Sequence, residues 1–357
     1  MRLLLGAALL LALASGPARA EDAAIRVLLH DGVRRVAIEP AGGRERRIDA
    51  RRLRKRIELP APGPHAIDGR RYRGAVTLEP RAGGLRVVNE VPLEAYVAGT
   101  LLGEVHESWG DAVLRAQAIA IRSYALHRRA RAAGRSFDVE ADTRGQVYLG
   151  MDGESEAAWR AVEATRGQIL TWEGEAILAA FHGTAGGRTA SAAEVWGREV
   201  PYLASVSVEG EERSPDTYWR APVSAEELRA ALAALGRDVG RVERVEIAAR
   251  TPSGRAARLR VRGAAGEVEI PAPALRRVLG ERRLRSTLFE LRPGPDGGVV
   301  FVGSGRGHGV GMSQWGARAM AERGAGHRAI LERFYPGAQL VSIEESSADR
   351  VAAGGSW

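Results

Sequence analysis

The chain has 357 residues, a net charge of +8 and no cysteine. That length supports one large or two modest domains, and the missing thiols exclude disulfides, thiolate metal centres and a lipid attached through an N-terminal cysteine. Lys55 is the only lysine, so the positive charge is almost all arginine and suits an anionic envelope polymer or membrane surface.

Residues 1–20 read as a secretory leader: Arg2, an apolar run from Leu3 to Ala14, then Ala18-Arg19-Ala20 as a cleavage site. The mature chain would begin at Glu21, outside the cytoplasm or in a periplasm. The apolar run is shorter than the roughly 20 residues a bilayer span needs, so no stable membrane anchor is expected. Export also counts against nucleic acid as a partner.

Residues 21–84 carry short alternating runs, Ile25–Leu29, Val33–Ile38 and Ala75–Leu78, separated by Gly and Pro clusters, which predicts a small β-rich segment. The basic stretches Arg44–Arg47 and Arg51–Arg56 within it could lean on anionic envelope components or form a solvated edge, of which the solvated edge is favoured. A strand over Leu85–Val88 leads through Val91-Pro92-Leu93 towards Glu104. From Asp111, Leu114, Ala118, Ile121 and Ala125 recur at helical spacing, with Asp111 or Ser108 as the N-cap and Gly134 as the stop. This places Glu104 in the turn entering that helix, with Gln117 and Tyr124 seven apart on a neighbouring stripe.

A second helix is expected over Glu154–Thr165, with Trp159 and Val162 towards the core. A hairpin follows, Ile169–Trp172 and Ala176–Phe181, turning at Glu173-Gly174-Glu175. Residues 222–303 read as an inserted α/β subdomain. Its helices are expected at Ala225–Leu235 and Pro273–Leu279, and its strands near Val242–Ala248, Ala257–Val261, Val268–Ile270, Leu288–Leu291 and Val299–Val302. A further helix runs from Ser313-Gln314 through Met320, and the tail over 341–357 is expected to fray. The mixture lacks a regular βαβ rhythm, so the fold class is α+β, with mixed sheet and helices forming a groove.

Several familiar sites are absent. Gly305, Gly307, Gly309 and Gly311 alternate, which frees the backbone around His308 to approach a ligand, but the spacing does not fit a dinucleotide loop and no Walker lysine is present. His106-Glu107 begins like a zinc-protease motif, yet position 110 is glycine. No G-x-S-x-G occurs. Trp109, Trp172, Trp196, Trp219 and Trp315 are candidate sugar-stacking residues.

The run Gly103 to Ala125 resembles the signature of the stage II sporulation protein D family (SpoIID/LytB), a group of peptidoglycan lytic transglycosylases. The resemblance continues through Phe137–Asp142, Gln146–Gly150, Glu156–Gly167, Phe181–Thr189 and Glu194–Trp196. It closes on Gly305–Ala317 and Ile330–Gly337, in the family's order over about residues 85–340. Where family members have Met-Pro after the glutamate, this chain has Val105-His106.

The resemblance implies that Glu104 is the catalytic residue. It implies substrate contacts from Gln117, Arg122, Tyr124, Gln146, Tyr148, His182, His308, Ser313, Gln314 and Trp315. Some relatives hold zinc with cysteines near His182; without cysteine, no metal and no cofactor are expected here. A lytic transglycosylase needs one acid, because the sugar's own C6 hydroxyl attacks the anomeric carbon. A hydrolase needs two, and Glu107, Glu140 and Asp142 are available as a second. Peptidoglycan strands are the implied substrate, with peptide-free strands favoured. The alternative implied by the family's other name is a non-catalytic enhancer or partner of an N-acetylmuramoyl-L-alanine amidase.

Overall fold

The computed structural model describes residues 23–142, 145–294 and 297–343. The leader expected over 1–20 lies outside the described residues, as does all of the expected tail beyond Ile343; Val341 and Ser342 still belong to a strand. The fold is α+β.

The N-terminal half opens with β1 (Ala24–Val33), β2 (Arg35–Glu39), β3 (Arg46–Asp49), β4 (Ile57–Leu59), β5 (His65–Ile67), β6 (Arg70–Tyr72), β7 (Ala75–Arg81) and β8 (Gly84–Pro92). One sheet has the order β4-β7-β8-β1, and β9 (Val139–Glu140) closes it by pairing parallel to β1 at Val27 and Leu28. β1 runs antiparallel to β8 from Ala24–Pro92 to Val33–Leu85. The β-rich segment therefore does not stand apart from the helices after it: Ile25, Val27, Val76 and Leu78 share one core with Tyr96, Leu114 and Val162.

The first helix, α1 (Leu93–Glu104), has no polar face. Every residue from Leu93 to Leu101 is buried, which is the pattern of a helix packed on all sides. This corrects the expectation for Glu104. It does not sit in the turn entering the Asp111 helix; it is the last residue of α1, a helix whose all-round apolarity leaves no 3.6-residue periodicity to read. α2 (Asp111–Ala130) starts behind Gly110 at φ +89, with no side-chain cap from Asp111 or Ser108, and ends four residues before Gly134. Asp111 in its first turn and His127, Arg128 and Arg129 in its last match the helix dipole. α2 is shared between two cores: Val113, Leu114, Ala118, Ile121 and Ala125 face the first, and Ala116, Ile119 and Ala120 the second.

After α3 (Glu156–Glu163), capped by Ser155, the strand Gln168–Trp172 turns through Glu173 (φ +52) and Gly174 (φ +78), the two positive φ values of a tight hairpin. Its return strand is only Glu175–Ala176, shorter than expected, and Gln339–Ser342 pairs along the other edge. α4 (Ala192–Trp196) carries a capping box between Ser191 and Glu194.

The insert follows the sequence pattern closely: α5 (Ala225–Ala234), α6 (Ala272–Leu279) and strands Val242–Arg250, Ala256–Gly263 and Gly266–Pro271 form one sub-sheet and its helices, with a core of their own. It enters and leaves through paired strands, Trp219–Val223 against Val299–Gly303. α7 (Gln314–Glu322) and α8 (His327–Phe334) then pack on the second core. Among the described residues, no helix is long and apolar enough to cross a membrane.

Candidate active site

Two glycines one helical turn apart set the position of Glu104. A Cβ on Gly99 would lie 2.8 Å from the Gly150 carbonyl oxygen, and one on Gly103 would run into the carbonyl oxygen of Val147. This glycine row lets the 147–150 segment lie against α1, and the Val147 N–H donates a 2.7 Å hydrogen bond to Glu104 Oε1. The carboxylate is thereby aimed by backbone. Burial raises its pKa above the ordinary glutamate value, against the opposing pull of the Val147 N–H and the Gln314 amide. Its place at a helix C-terminus, the negative end of the dipole, works in the same direction as burial. Gln314 Nε2 is itself buried and completes no hydrogen bond of good geometry in this state.

Gln314 reaches Glu104 because α7 is registered against the Phe181–His182 strand. Phe181 pairs with Met312 and His182 with Ser313, Ser313 caps α7, and Trp315 N–H donates to the Gly183 carbonyl. The next residue, Trp315, forms an aromatic pair with Trp109, centroids 4.9 Å apart, and Arg318 lies over both rings at 4.7 and 5.4 Å. Both indoles are half-buried, which leaves ring surface for a ligand. Tyr124 is also half-buried, its hydroxyl pKa raised by burial and by the charges of Glu140 and Glu104, with Arg128 opposing.

The alternating glycines form a second wall. All four have positive φ, and a Cβ at Gly307 or Gly309 would strike His182 or the Arg255 guanidinium. His182 Nδ1 donates to the Val310 carbonyl at 3.1 Å, leaving its buried Nε2 without a partner. The His308 ring is 5.7 Å from both His182 and the partly exposed Trp196, and accepts from Val310 N–H through Nδ1 at 3.0 Å. Burial and the nearby Arg276 and Arg255 push His308 down to about 4, and burial holds His182 well below its usual range, so both rings are neutral at neutral pH.

Other residues expected in the groove serve the interior. Arg122, fully buried, is held by Glu94 at 2.6 Å and by the Gln168 carbonyl. Gln146 accepts from the Tyr96 hydroxyl, and the Tyr148 hydroxyl donates to Asn89 between the Tyr72 and Tyr96 rings. Ser313 Oγ faces Glu211. Gln117 is fully buried with neither amide atom partnered. The structure thus gathers Glu104, Tyr124 and Gln314, with Trp315 beside them, and His182 with His308. Arg122, Gln146 and Tyr148 are buried and make their hydrogen bonds within the interior.

Of the further carboxylates, Glu107 is exposed on the short turn after α1, and Glu140 lies 3.7 Å from Arg128. Among the described residues, no three His, Asp or Glu side chains cluster as a metal ion requires.

Two residues had no sequence signal. Glu211 accepts from the N–H groups of Ala185, Gly186 and Gly187 and pins that turn. Arg255, at the tip of an insert hairpin, is buried and caps the carbonyls of Ala185 at 2.7 Å and Arg188 at 3.1 Å. Neither side chain stood out in the sequence, because each acts only on backbone brought to it by the fold.

A family model described as stage II sporulation protein (SpoIID) matches residues 81–172, covering Glu104 and its cradle, and one described as a domain of unknown function (DUF8618) matches residues 203–311. An uncharacterised protein of Brachyspira hyodysenteriae is 32% identical over 278 residues, 77% of this chain and 73% of its own. The stage II sporulation protein D of Bacillus amyloliquefaciens is 32% identical over 277 residues, 72% of this chain and 76% of its own. The amidase enhancer of Bacillus subtilis is 26% identical over 289 residues, 68% of this chain but 40% of its own. With a relative of that identity and coverage, and the family's own model lying over the Glu104 helix, the chain belongs to the stage II sporulation protein D family.

Proposed function

We propose that the chain is an exported lytic transglycosylase that cuts peptidoglycan glycan strands between MurNAc and GlcNAc, favouring strands stripped of peptide. Residues 85–340 would form the working domain, with 222–303 inserted. Glu104, neutral to a higher pH than an ordinary glutamate, protonates the glycosidic oxygen as the bond to C1 breaks. The resulting carboxylate takes the proton of the C6 hydroxyl as its oxygen bonds to C1, which closes the 1,6-anhydro ring and restores the acid. Trp315 and Trp109 stack on the sugar, and Tyr124 and Gln314 orient the carboxyl.

The observation that carries this reading is the one carboxyl among the described residues with a raised pKa, aimed by the Val147 N–H on the side of the fold that carries the Trp109–Trp315 pair. Incubation with purified strands and mass analysis of the products tests it: anhydro-muramyl ends are expected, whereas reducing-end muramic acid means that water attacks. A second reading, an enhancer of a separate amidase, is favoured by the name of the Bacillus subtilis relative. It predicts no new ends from the chain alone and faster release of peptide by added amidase.

A further inference from the structure

One strand length from α1, at the Gly84 end of β8, two adjoining hollows of about 440 and 790 Å³ open on the surface. Six exposed arginines line them: Arg34, Arg35, Arg47, Arg51, Arg52 and Arg81. Asp49 is the only carboxylate in the lining, so six positive charges less one negative leave +5. Asp49 is taken by Arg35 at 3.0 Å, and Arg81 pairs with Glu79 outside the hollows. Among the described residues, the guanidinium groups of Arg34, Arg47, Arg51 and Arg52 form no ion pair, although the Arg51 backbone N–H donates to Asp49 Oδ1 at 2.9 Å.

Composition alone does not explain this. On the insert sheet, Arg244, Arg258 and Arg260 are interleaved with Glu246, Glu267 and Glu269, and each has an ion pair. Three neighbouring arginines are neutralised there, whereas the four named here are left without an ion pair, although gathered like charges repel. An external anion resolves that repulsion, and the guanidinium fork matches phosphate oxygens two at a time.

The rest of the lining limits the shape of the occupant. Ile48 and Leu53 are packed against the core, and the exposed large apolar residues, Trp196, Tyr218 and Val278, lie elsewhere, so nothing here inserts into a bilayer. No aromatic ring lines the hollows, so bases have nothing to stack on. We propose that this face binds a linear polyol-phosphate polymer and holds the protein on an anionic envelope matrix. The proposal does not depend on the chemistry assigned to Glu104.

Fluorescence anisotropy with labelled poly(glycerol phosphate) tests it. Arg34→Gln/Arg51→Gln/Arg52→Gln is expected to weaken binding about tenfold or more and to flatten its salt dependence by about one counterion per arginine removed. Its melting temperature and strand cleavage should stay at the parent level. Arg229→Gln/Arg237→Gln/Arg282→Gln, the same charge change at exposed positions of the insert, should leave binding within about twofold. Equal weakening by both triple variants, no binding by the parent protein, or tighter binding of anionic vesicles or RNA than of the polymer would each overturn the proposal.

Discussion

A methyl group on Gly103 would collide with the carbonyl oxygen of Val147, and the N–H of the same Val147 donates the 2.7 Å hydrogen bond that aims Glu104. One close contact between α1 and the extended segment at Val147 therefore sets the direction of the acid.

Gly103→Ala tests that contact. In an ordinary helix interior the change stabilises by about 1 kcal/mol. Here overpacking should reverse the sign and destabilise by about 1–3 kcal/mol. Strand cleavage should fall by more than the melting temperature explains, because the Val147 hydrogen bond is displaced. A stabilised, fully active variant would show that the glycine row does not position Glu104.

Glu104→Gln should lower formation of anhydro ends about a hundredfold or more while strand binding persists. Its stability should move the other way. The folded pKa lies above the unfolded value, so the folded state binds more protons. The acid's contribution is present below the ordinary glutamate value of 4.5 and is lost as pH rises through the folded pKa. Gln never ionises, so the variant should melt higher than the parent near neutral pH and converge with it in acid. Thermal melts across that range decide; parallel curves would mean that Glu104 carries no raised pKa.

Glu107→Gln separates the two chemistries. If the sugar hydroxyl is the nucleophile, the rate should stay within about twofold; if a second carboxylate is required, the loss should approach that of Glu104→Gln. Kinetics on one strand preparation gives the answer, and Glu140→Gln and Asp142→Asn read in parallel cover the two remaining candidate carboxylates.

The His182–His308 pair predicts acid sensitivity with a defined origin. Both folded pKa values lie below the unfolded 6.5, so the neutral rings contribute stability above that pH, lost as pH falls towards about 4. His308→Gln should flatten the melting curve between those values without changing its neutral plateau by more than about 1 kcal/mol. An acid limb unchanged in the variant would assign the sensitivity to other groups.

The helices and strands between Ala225 and Val302 were legible because their signals are local. Alternating strands, Ser224 with Glu227 as a capping box, and turn glycines at the hairpins all speak through neighbouring residues. Glu104 was legible as a residue but not in its placement. α1 is buried on every side from Leu93 to Leu101, so its sequence carries no helical period, and the glycines that aim the carboxylate matter only against a segment more than forty residues on. Arg122 shows what the sequence could not reveal: a polar residue within a functional signature was read as a ligand contact, and the structure shows its guanidinium buried and hydrogen-bonded to Glu94 and the Gln168 carbonyl. The pairing of a buried arginine is a tertiary fact, and in a chain with so many arginines no single one announces it.

Because α2 is buried on both sides, Glu104 on α1 and Gln314 on α7 take their positions from opposite faces of the same rod. Ala118 turns towards the core beneath the acid, while Ala116 and Ala120 turn towards the core beneath its amide neighbour. These alanines act as shims of minimum thickness. Any side chain added there widens one gap without the other, so the separation of the acid from the groups across the groove is set by the volume of residues that touch neither.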